Sequence, residues 1–399
     1  MTQLNAECVI DNKVIKKHYP TSNMDDQLVF TFESDPNLCL LKNKISVHFI
    51  IELDENYIPD NGFAAKQFSS CSVELNSQRI SNNKTKGEYY LNDWITKYGN
   101  FGVDFVESFF LEGYYDKYDF SDLDEGEKNS LISHRRKSIP KKGKNYIYEF
   151  IMTPNDPFLN ENHPLPPGIE LKLFFDRLTA ENSVLKIKAD DPLKGKVLEL
   201  KDVYAQVEYI SSPMLRNIFD QMQTRPLEFQ YDECTVICRS IPVNEQYVRL
   251  ENLKGGNIPD YLFMAVVQTA ALNGSSNLSP INFKNNGIKE INLTLNGNSC
   301  IGFPMRIQND TPIWPYHKFL DTLGRSSNES NSRQWTLDTF ERYCIYAHKF
   351  EGEETTQGWV GVTFSFSQPL SMQHTLILWS VQNVKTTIDK FCMIEKYNL

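Results

Sequence analysis

One pattern of strands, a tight hairpin and a short helix occurs twice along the 399 residues, and that repeat limits the folds open to the chain. In the first copy, residues 28–32 (Leu-Val-Phe-Thr-Phe) alternate apolar and polar, and residues 45–53 do so in part, as half-buried strands do. Residues 71–80 read as a strand, a turn at Asn76-Ser77 and a second strand. A short helix is predicted over 89–98: Tyr90, Leu91, Trp94, Ile95 and Tyr98 fall at helical spacing, and Gly99 is the stop. In the second copy, residues 288–300 are a strand, an Asn296-Gly297 turn and another strand, and Asn-Gly is the strongest short-range hairpin signal. Residues 316–324 again form a short helix stopped by glycine. The closing strands also correspond: 146–150 with 343–350, 168–175 with 361–366, and 197–210 with 374–384.

Between the copies, Ser212 can cap a helix, Pro213 suits its first turn, and Pro226 ends it. Met214, Leu215, Ile218, Phe219 and Met222 share one face, so an amphipathic linker helix is expected to dock on one or both halves. Its polar face has one Arg and one Asp, which is no basic membrane-binding stripe. Short, evenly spaced strands with turn signals point to antiparallel sandwiches, about 180 residues each. A doubly wound parallel sheet would need long helices between apolar strands. The expected fold is therefore all-β: two tandem eight-stranded jelly rolls with short loop helices, the first over 1–211, a linker helix over 212–226, and the second over 227–399. Loops are expected at 99–145, 254–287 and 324–340.

Composition narrows the function classes. Apolar residues are 40% and charged residues 23%, an ordinary globular balance. The 25 Phe, 19 Tyr and 5 Trp favour pleated, half-buried surfaces. A net charge of −10 argues against a surface that wraps nucleic acid as a whole, though a local basic patch is compatible with it. No apolar run reaches the ~18 residues of a membrane span. The first residues carry no basic n-region or apolar h-region, so signal-peptide secretion is not expected.

Eight cysteines are scattered, mostly in apolar strand-like stretches, as buried free thiols would be. None forms a C-x₂-C zinc pair. Cys234 and Cys238 would sit about 13 Å apart along a strand, too far to share a metal. The acidic stretch 122–127 resembles a calcium loop only superficially, since its twelfth position is Ser133 and not a closing Glu; a solvated acidic loop is expected. Nucleophile-elbow, P-loop, zinc-protease and dinucleotide motifs are absent. The seven histidines do not cluster, and His48 and His348 are expected to be structural. No catalytic residue, metal or cofactor is expected.

Several stretches carry a family resemblance. They are Leu165-Pro-Pro-Gly-Ile-Glu-Leu171, then Val203-Tyr-Ala-Gln-Val207 running into the linker. Next come Ile258-Pro-Asp-Tyr-Leu-Phe-Met-Ala-Val-Val267, Ala271-Leu-Asn-Gly274 and Ser279-Pro-Ile-Asn-Phe-Lys284. Residues 288–297 and the 316–323 helix complete the set. In that order, across 145–399, they resemble the double jelly-roll major capsid (hexon-like) proteins of Maverick/Polinton elements and adintoviruses. The resemblance implies a homotrimeric, pseudo-hexagonal capsomer that paves an icosahedral shell around double-stranded DNA. It also implies a place in the virion, assembly inside the host cell, and penton or minor capsid partners. A β-sandwich glycan-binding or attachment protein and a β-sandwich hydrolase are the alternatives.

Two surfaces stand out as expected interaction sites. The aromatic run Phe101, Phe105, Phe109, Phe110, Tyr114 and Tyr115 is the candidate trimer contact, against burial under a long loop. Arg135, Arg136, Lys137, Lys141, Lys142 and Lys144, with no acid among them, form a candidate basic loop for packaged DNA or an acidic partner.

Overall fold

The computed structural model describes residues 12–22, 24–33, 35–82, 87–98, 110–114, 123–187, 193–211, 222, 224–307, 311–323, 336–350 and 357–398. Alternation of buried and half-exposed positions produces the strands. In the first half these are β1 (Asn12–His18), β2 (Gln27–Phe32), β3 (Cys39–Asp54), β4 (Tyr57–Pro59), β5 (Phe68–Leu75), β6 (Gln78–Asn82), β7 (Lys141–Lys142), β8 (Asn145–Met152), β9 (Leu171–Arg177), β10 (Val184–Lys186) and β11 (Lys201–Ser211). In the second they are β12 (Leu227–Ile241), β13 (Tyr247–Asn257), β14 (Tyr261–Gln268), β15 (Ile288–Leu295), β16 (Asn298–Ser299), β17 (Met305–Arg306), β18 (Tyr346–Lys349), β19 (Gln357–Phe366), β20 (His374–Ile388) and β21 (Ile394–Asn398).

The sheet orders match between halves. One sheet of the first half runs β1-β11-β3-β8 and its counterpart runs β12-β20-β14-β18; the facing sheets run β2-β9-β5-β6 and β13-β19-β15-β16. Each position in one order has its partner at the same place in the other. All pairings among these strands are antiparallel, and none joins a strand before residue 212 to one after it. Each half is thus a two-sheet jelly roll, closed so that its apolar faces meet.

The hairpins sit where the turn residues put them. Asn76 and Ser77 have φ of 46° and 68°, and Asn296 and Gly297 have 52° and 85°. Two consecutive left-handed residues make the turn whose twist matches paired strands. The first predicted helix is Glu88–Asp93 continued by a π-helical turn, Trp94–Tyr98; the second is Ile313–Thr322.

Two expected loops hold regular structure instead. Residues 254–287 contain β14 and a one-turn helix, Thr269–Leu272. β14 shows no alternation because both of its faces are buried. Leu262, Met264 and Val266 face the second roll's core with Leu376, Leu378 and Phe364, whereas Phe263, Ala265 and Val267 join Ile377 and Trp379 in the core shared with the first half. A strand covered on both sides reads as a plain apolar run. Residues 99–145 contain a 3₁₀ turn, Phe110–Glu112, and a helix, Glu125–Arg136. The acidic stretch is that helix's start. Asp124 accepts from the Glu127 amide while the Glu127 carboxylate accepts from the Asp124 amide, a reciprocal capping box.

His48 and His348 are both structural. His48 stacks on Tyr204 at 4.5 Å and contacts Ser46 Oγ and Tyr204 Oη, each at 3.1 Å. His348 is buried edge-on to Phe303 and Phe350. Burial, helped by Lys318, pushes its pKa down to about 4 from 6.5. A depressed histidine stabilises the fold above pH 6.5 and loses that contribution as pH falls toward 4. The gap corresponds to about 3 kcal/mol. His348→Phe should therefore flatten the acid limb of a denaturant-stability profile between those pH values.

Candidate assembly surface

The core of the first roll continues into a buried seam with the second, and the Glu88–Asp93 helix lies on that seam. Leu91 O accepts from Trp379 Nε1 at 3.3 Å. Trp94 lies edge-on to Phe283 (5.0 Å between ring centres) and beside Tyr343, and Phe283 is edge-on to Trp379. Two polar side chains of the same helix serve the outer edge of β12: Glu88 accepts from the Val236 amide at 3.0 Å, and Asn92 donates to Cys234 O at 3.2 Å. An edge that could otherwise recruit a foreign strand is thereby closed.

Flanking contacts extend the seam in both directions. On one side Lys66 contacts Asp60, and both meet Ser279 of the second roll. On the other, Gln78 donates to Ile394 O and Lys396 to Ile80 O, so β21 lies beside the β5–β6 hairpin. Phe158 meets Phe229 and Tyr231, with the buried Lys42–Glu161 pair alongside. Packed rings and hydrogen bonds thus join the two rolls along the whole seam.

A cavity of about 260 Å³ opens on the seam, lined in part by Arg79, Glu88, Asn92, Asp156, Glu233 and Lys396. Its charged groups largely serve one another: Lys396 pairs with Glu233 at 2.6 Å, and Ser81 donates to Asp156 at 2.5 Å. Burial raises the Asp156 pKa despite the Ser81 bond. Among the described residues, no group of three His, Cys, Asp or Glu side chains is placed to hold a metal. Five of the seven described cysteines are buried, and all seven are free thiols. Burial raises the Cys39 and Cys344 thiols to about 12, so they are inert.

The expected interaction residues fall in different places. Phe101, Phe105, Phe109 and Tyr115 lie outside the described residues, as do Met214, Leu215, Ile218 and Phe219 of the linker. Phe110 is described only as backbone, in the 3₁₀ turn. Met222 is buried in the shared core. Tyr114 is not a surface aromatic: it is buried within its own chain and donates to Asp93 Oδ2 at 2.7 Å. That bond completes a cluster in which Lys97 meets Asp93 (2.7 Å) and Glu112 (2.5 Å).

The expected basic loop is also split. Arg135 is buried in the Glu125–Arg136 helix and donates to Pro59 O at 2.6 Å. Arg136 donates to Glu55 O and Tyr57 O and lies over the Tyr146 ring. Both arginines tie that helix to the β3–β4 turn and so are taken out of the candidate DNA surface. Lys137, Lys141, Lys142 and Lys144 stay exposed, Lys141 paired with Glu55. Arg135→Met should cost about 2–4 kcal/mol in chemical denaturation, because it strands a buried carbonyl and removes a packed side chain. The triple change of Lys137, Lys142 and Lys144 to Gln should stay within ~0.5 kcal/mol of wild type.

Apolar side chains that meet solvent include Ile301, Ile313 and Trp314, at 63%, 61% and 51% exposure. The 301–302 turn lies against the Ile313–Thr322 helix, since Gly302 faces the Lys318 side chain, and Trp314 stacks on His317. Sequence reading placed that helix but not its exposed face. The seam was missed too, although its trace was present as the unbroken apolar runs of β14 and β20.

No protein-family model and no curated protein matches the sequence. The structure, however, is similar to solved viral structures along nearly its whole length. A chain of the Sputnik virophage cryo-EM structure matches with a TM-score of 0.65 and 10% identity, covering 100% of this chain and 90% of that one. The mavirus major capsid protein matches at 0.58 and 11%, covering 96% and 90%. The Faustovirus major capsid protein matches at 0.52 and 8%, covering 96% and 92%. With two rolls of one strand order fused across a buried seam, this chain has the double jelly-roll fold of these capsid proteins.

Proposed function

We propose that the chain is a non-enzymatic major capsid protein. Two rolls, 1–211 and 227–399, joined by the 212–226 linker, make one subunit; three subunits make a pseudo-hexagonal capsomer; and capsomers tile an icosahedral shell around double-stranded DNA. The carrying observation is that both rolls have the same strand order and share a continuous buried core. A subunit of that build offers two near-equivalent sides, and three such subunits in a ring offer six. The resemblance of residues 145–399 to Maverick/Polinton and adintovirus proteins supports a virus or virus-like transposon of that kind as the source. The virion is then its location, and vertex and minor capsid proteins are its further partners.

The exposed Lys137, Lys142 and Lys144 are the residues left to contact DNA. The test is the mass of the purified protein by light scattering, followed by electron microscopy at high concentration. Three times the 46.2 kDa chain mass and six-sided tiles or closed shells are expected. A stable monomer that never assembles would end this reading.

A further inference from the structure

The matched sheet orders make a comparison possible that locates the contact between subunits. In the second roll, the outer face of the β12-β20-β14-β18 sheet is covered by the first roll and, over β14 and β18, by the Ile313–Thr322 helix. Its cross-strand row Val236–Trp379–Phe263–Ala347 is buried throughout. The equivalent sheet of the first roll, β1-β11-β3-β8, presents the row Tyr204–His48–Ile151 on its outer face. Those residues are only half-buried, and Ile15 on the same face is 52% exposed. Ile50 and Ile147 lie there as well, between the ion pairs Lys201–Glu52 and Lys13–Glu208. A mixed face suits a surface that meets water before assembly and a partner afterwards.

The covering side has a counterpart too. Within the chain, the segment that follows the β5–β6 hairpin supplies the seam helix, Glu88–Asp93. The segment that follows the β15–β16 hairpin supplies the Ile313–Thr322 helix, which packs on β18 and leaves Ile313 and Trp314 in solvent, with the 301–302 turn against the same helix at Lys318 and Ile301 also exposed. The two helices are not superimposable in their packing: the first lies against β5 and the second against β18. Each is nevertheless the part of its roll that follows the hairpin; among the described residues the first reaches across the seam to β12, whereas the second packs within its own roll and keeps Ile313 and Trp314 exposed.

We propose that the Ile301–Ile313–Trp314 corner of one copy seats on the outer face of the β1-β11-β3-β8 sheet of the next. The second-roll-to-first-roll contact between copies then repeats the sense of the first-to-second contact within a copy. This rests on the capsomer reading and adds its surfaces. The interface is heterologous, head to tail, and closes as a ring when the rotation completes.

The test uses two full-length variants, each checked for wild-type secondary structure and melting: Ile313→Asp with Trp314→Asp, and Ile15→Asp with Ile151→Asp. Sedimentation should show a wild-type trimer and two monomeric variants. An equimolar mixture should form a two-chain species, because the intact corner of one variant meets the intact sheet of the other and the ring cannot close. Variants that remain trimeric, or monomers whose mixture stays monomeric, overturn this interface while the wild-type trimer keeps the capsomer reading. A monomeric wild type overturns the capsomer reading itself. Should the Ile15/Ile151 variant fail to fold, Ile15→Asp alone, at an exposed position, replaces it with the same expected outcomes.

Discussion

Replacing Trp379 by alanine should lower the stability of the chain by about 3–5 kcal/mol, as large-to-small changes at fully buried aromatics do. Trp379 sits in the middle of β20 with 0% exposure, on the face that meets the first roll. Its ring lies edge-on to Phe283, and its indole N–H donates to Leu91 O. The substitution therefore removes a core volume and a side-chain hydrogen bond across the seam. The loss should appear in both rolls, because Trp379 belongs to a core that runs from Phe49 through Trp94 to Ile377. Denaturant unfolding followed by fluorescence and by far-UV dichroism checks this. Tyr247→Ala, at a 62% exposed site, is the control and should change stability by less than ~0.5 kcal/mol. A loss confined to one roll would mean that the seam is not a joint.

Removing the cation at Lys97 should cost about as much, with a deficit that depends on pH. Lys97 Nζ is the only cation contacting Asp93 and Glu112 among the described residues, and it also donates to Thr153 O at 3.1 Å. Burial alone would lower its pKa, but Asp93 and Glu112 together outweigh burial and hold it above the usual value. Burial raises the Glu112 pKa, Lys97 opposes that, and Asp93 adds to it. Lys97→Met leaves two buried carboxyls facing each other without a counter-charge, and breaking a buried pair in this way costs about 3–5 kcal/mol.

The pH response follows from the direction of the Glu112 shift. A carboxyl whose folded pKa is raised binds protons more readily in the folded state, so its contribution grows as pH falls and is lost as pH rises through the folded value. Without Lys97 that upward shift increases. The deficit of the variant relative to wild type should therefore shrink on going from pH 7.5 to pH 5. A deficit that grows on acidification would contradict the assignment of charges in this cluster.

What was legible in the sequence was mostly local. The two hairpins were visible because Asn76-Ser77 and Asn296-Gly297 are residues that tolerate left-handed backbone, and a two-residue loop of that kind sets the register of the strands around it. The order of the halves was visible because each strand's half-buried pattern survives duplication even when identity does not. β14 escapes a reading by alternation because alternation is a signal of one-sided burial, and Phe263 and Met264 are buried on opposite sides. The Glu125–Arg136 helix was hidden by its charge. It buries only Leu131 and Arg135, so it has almost no apolar stripe to read.

The interaction residues were harder for the same reason. Tyr114 and Arg135 look like surface groups by type, yet each is buried against a polar partner far along the chain: Asp93 is 21 residues away and Pro59 is 76. Sequence type places such groups outside, and only tertiary partners bring them in. Conversely, Trp314 sits in a helix that the sequence places correctly, but nothing local says that its ring points to solvent.

The proposed capsomer has two rolls per chain and three chains per ring. Single-particle cryo-EM of the purified full-length protein tests it most directly. A three-fold particle with six lobes is expected, in which the second roll of each chain contacts the first roll of the next. A two-lobed monomer, or a dimer joined about a two-fold axis, would contradict it.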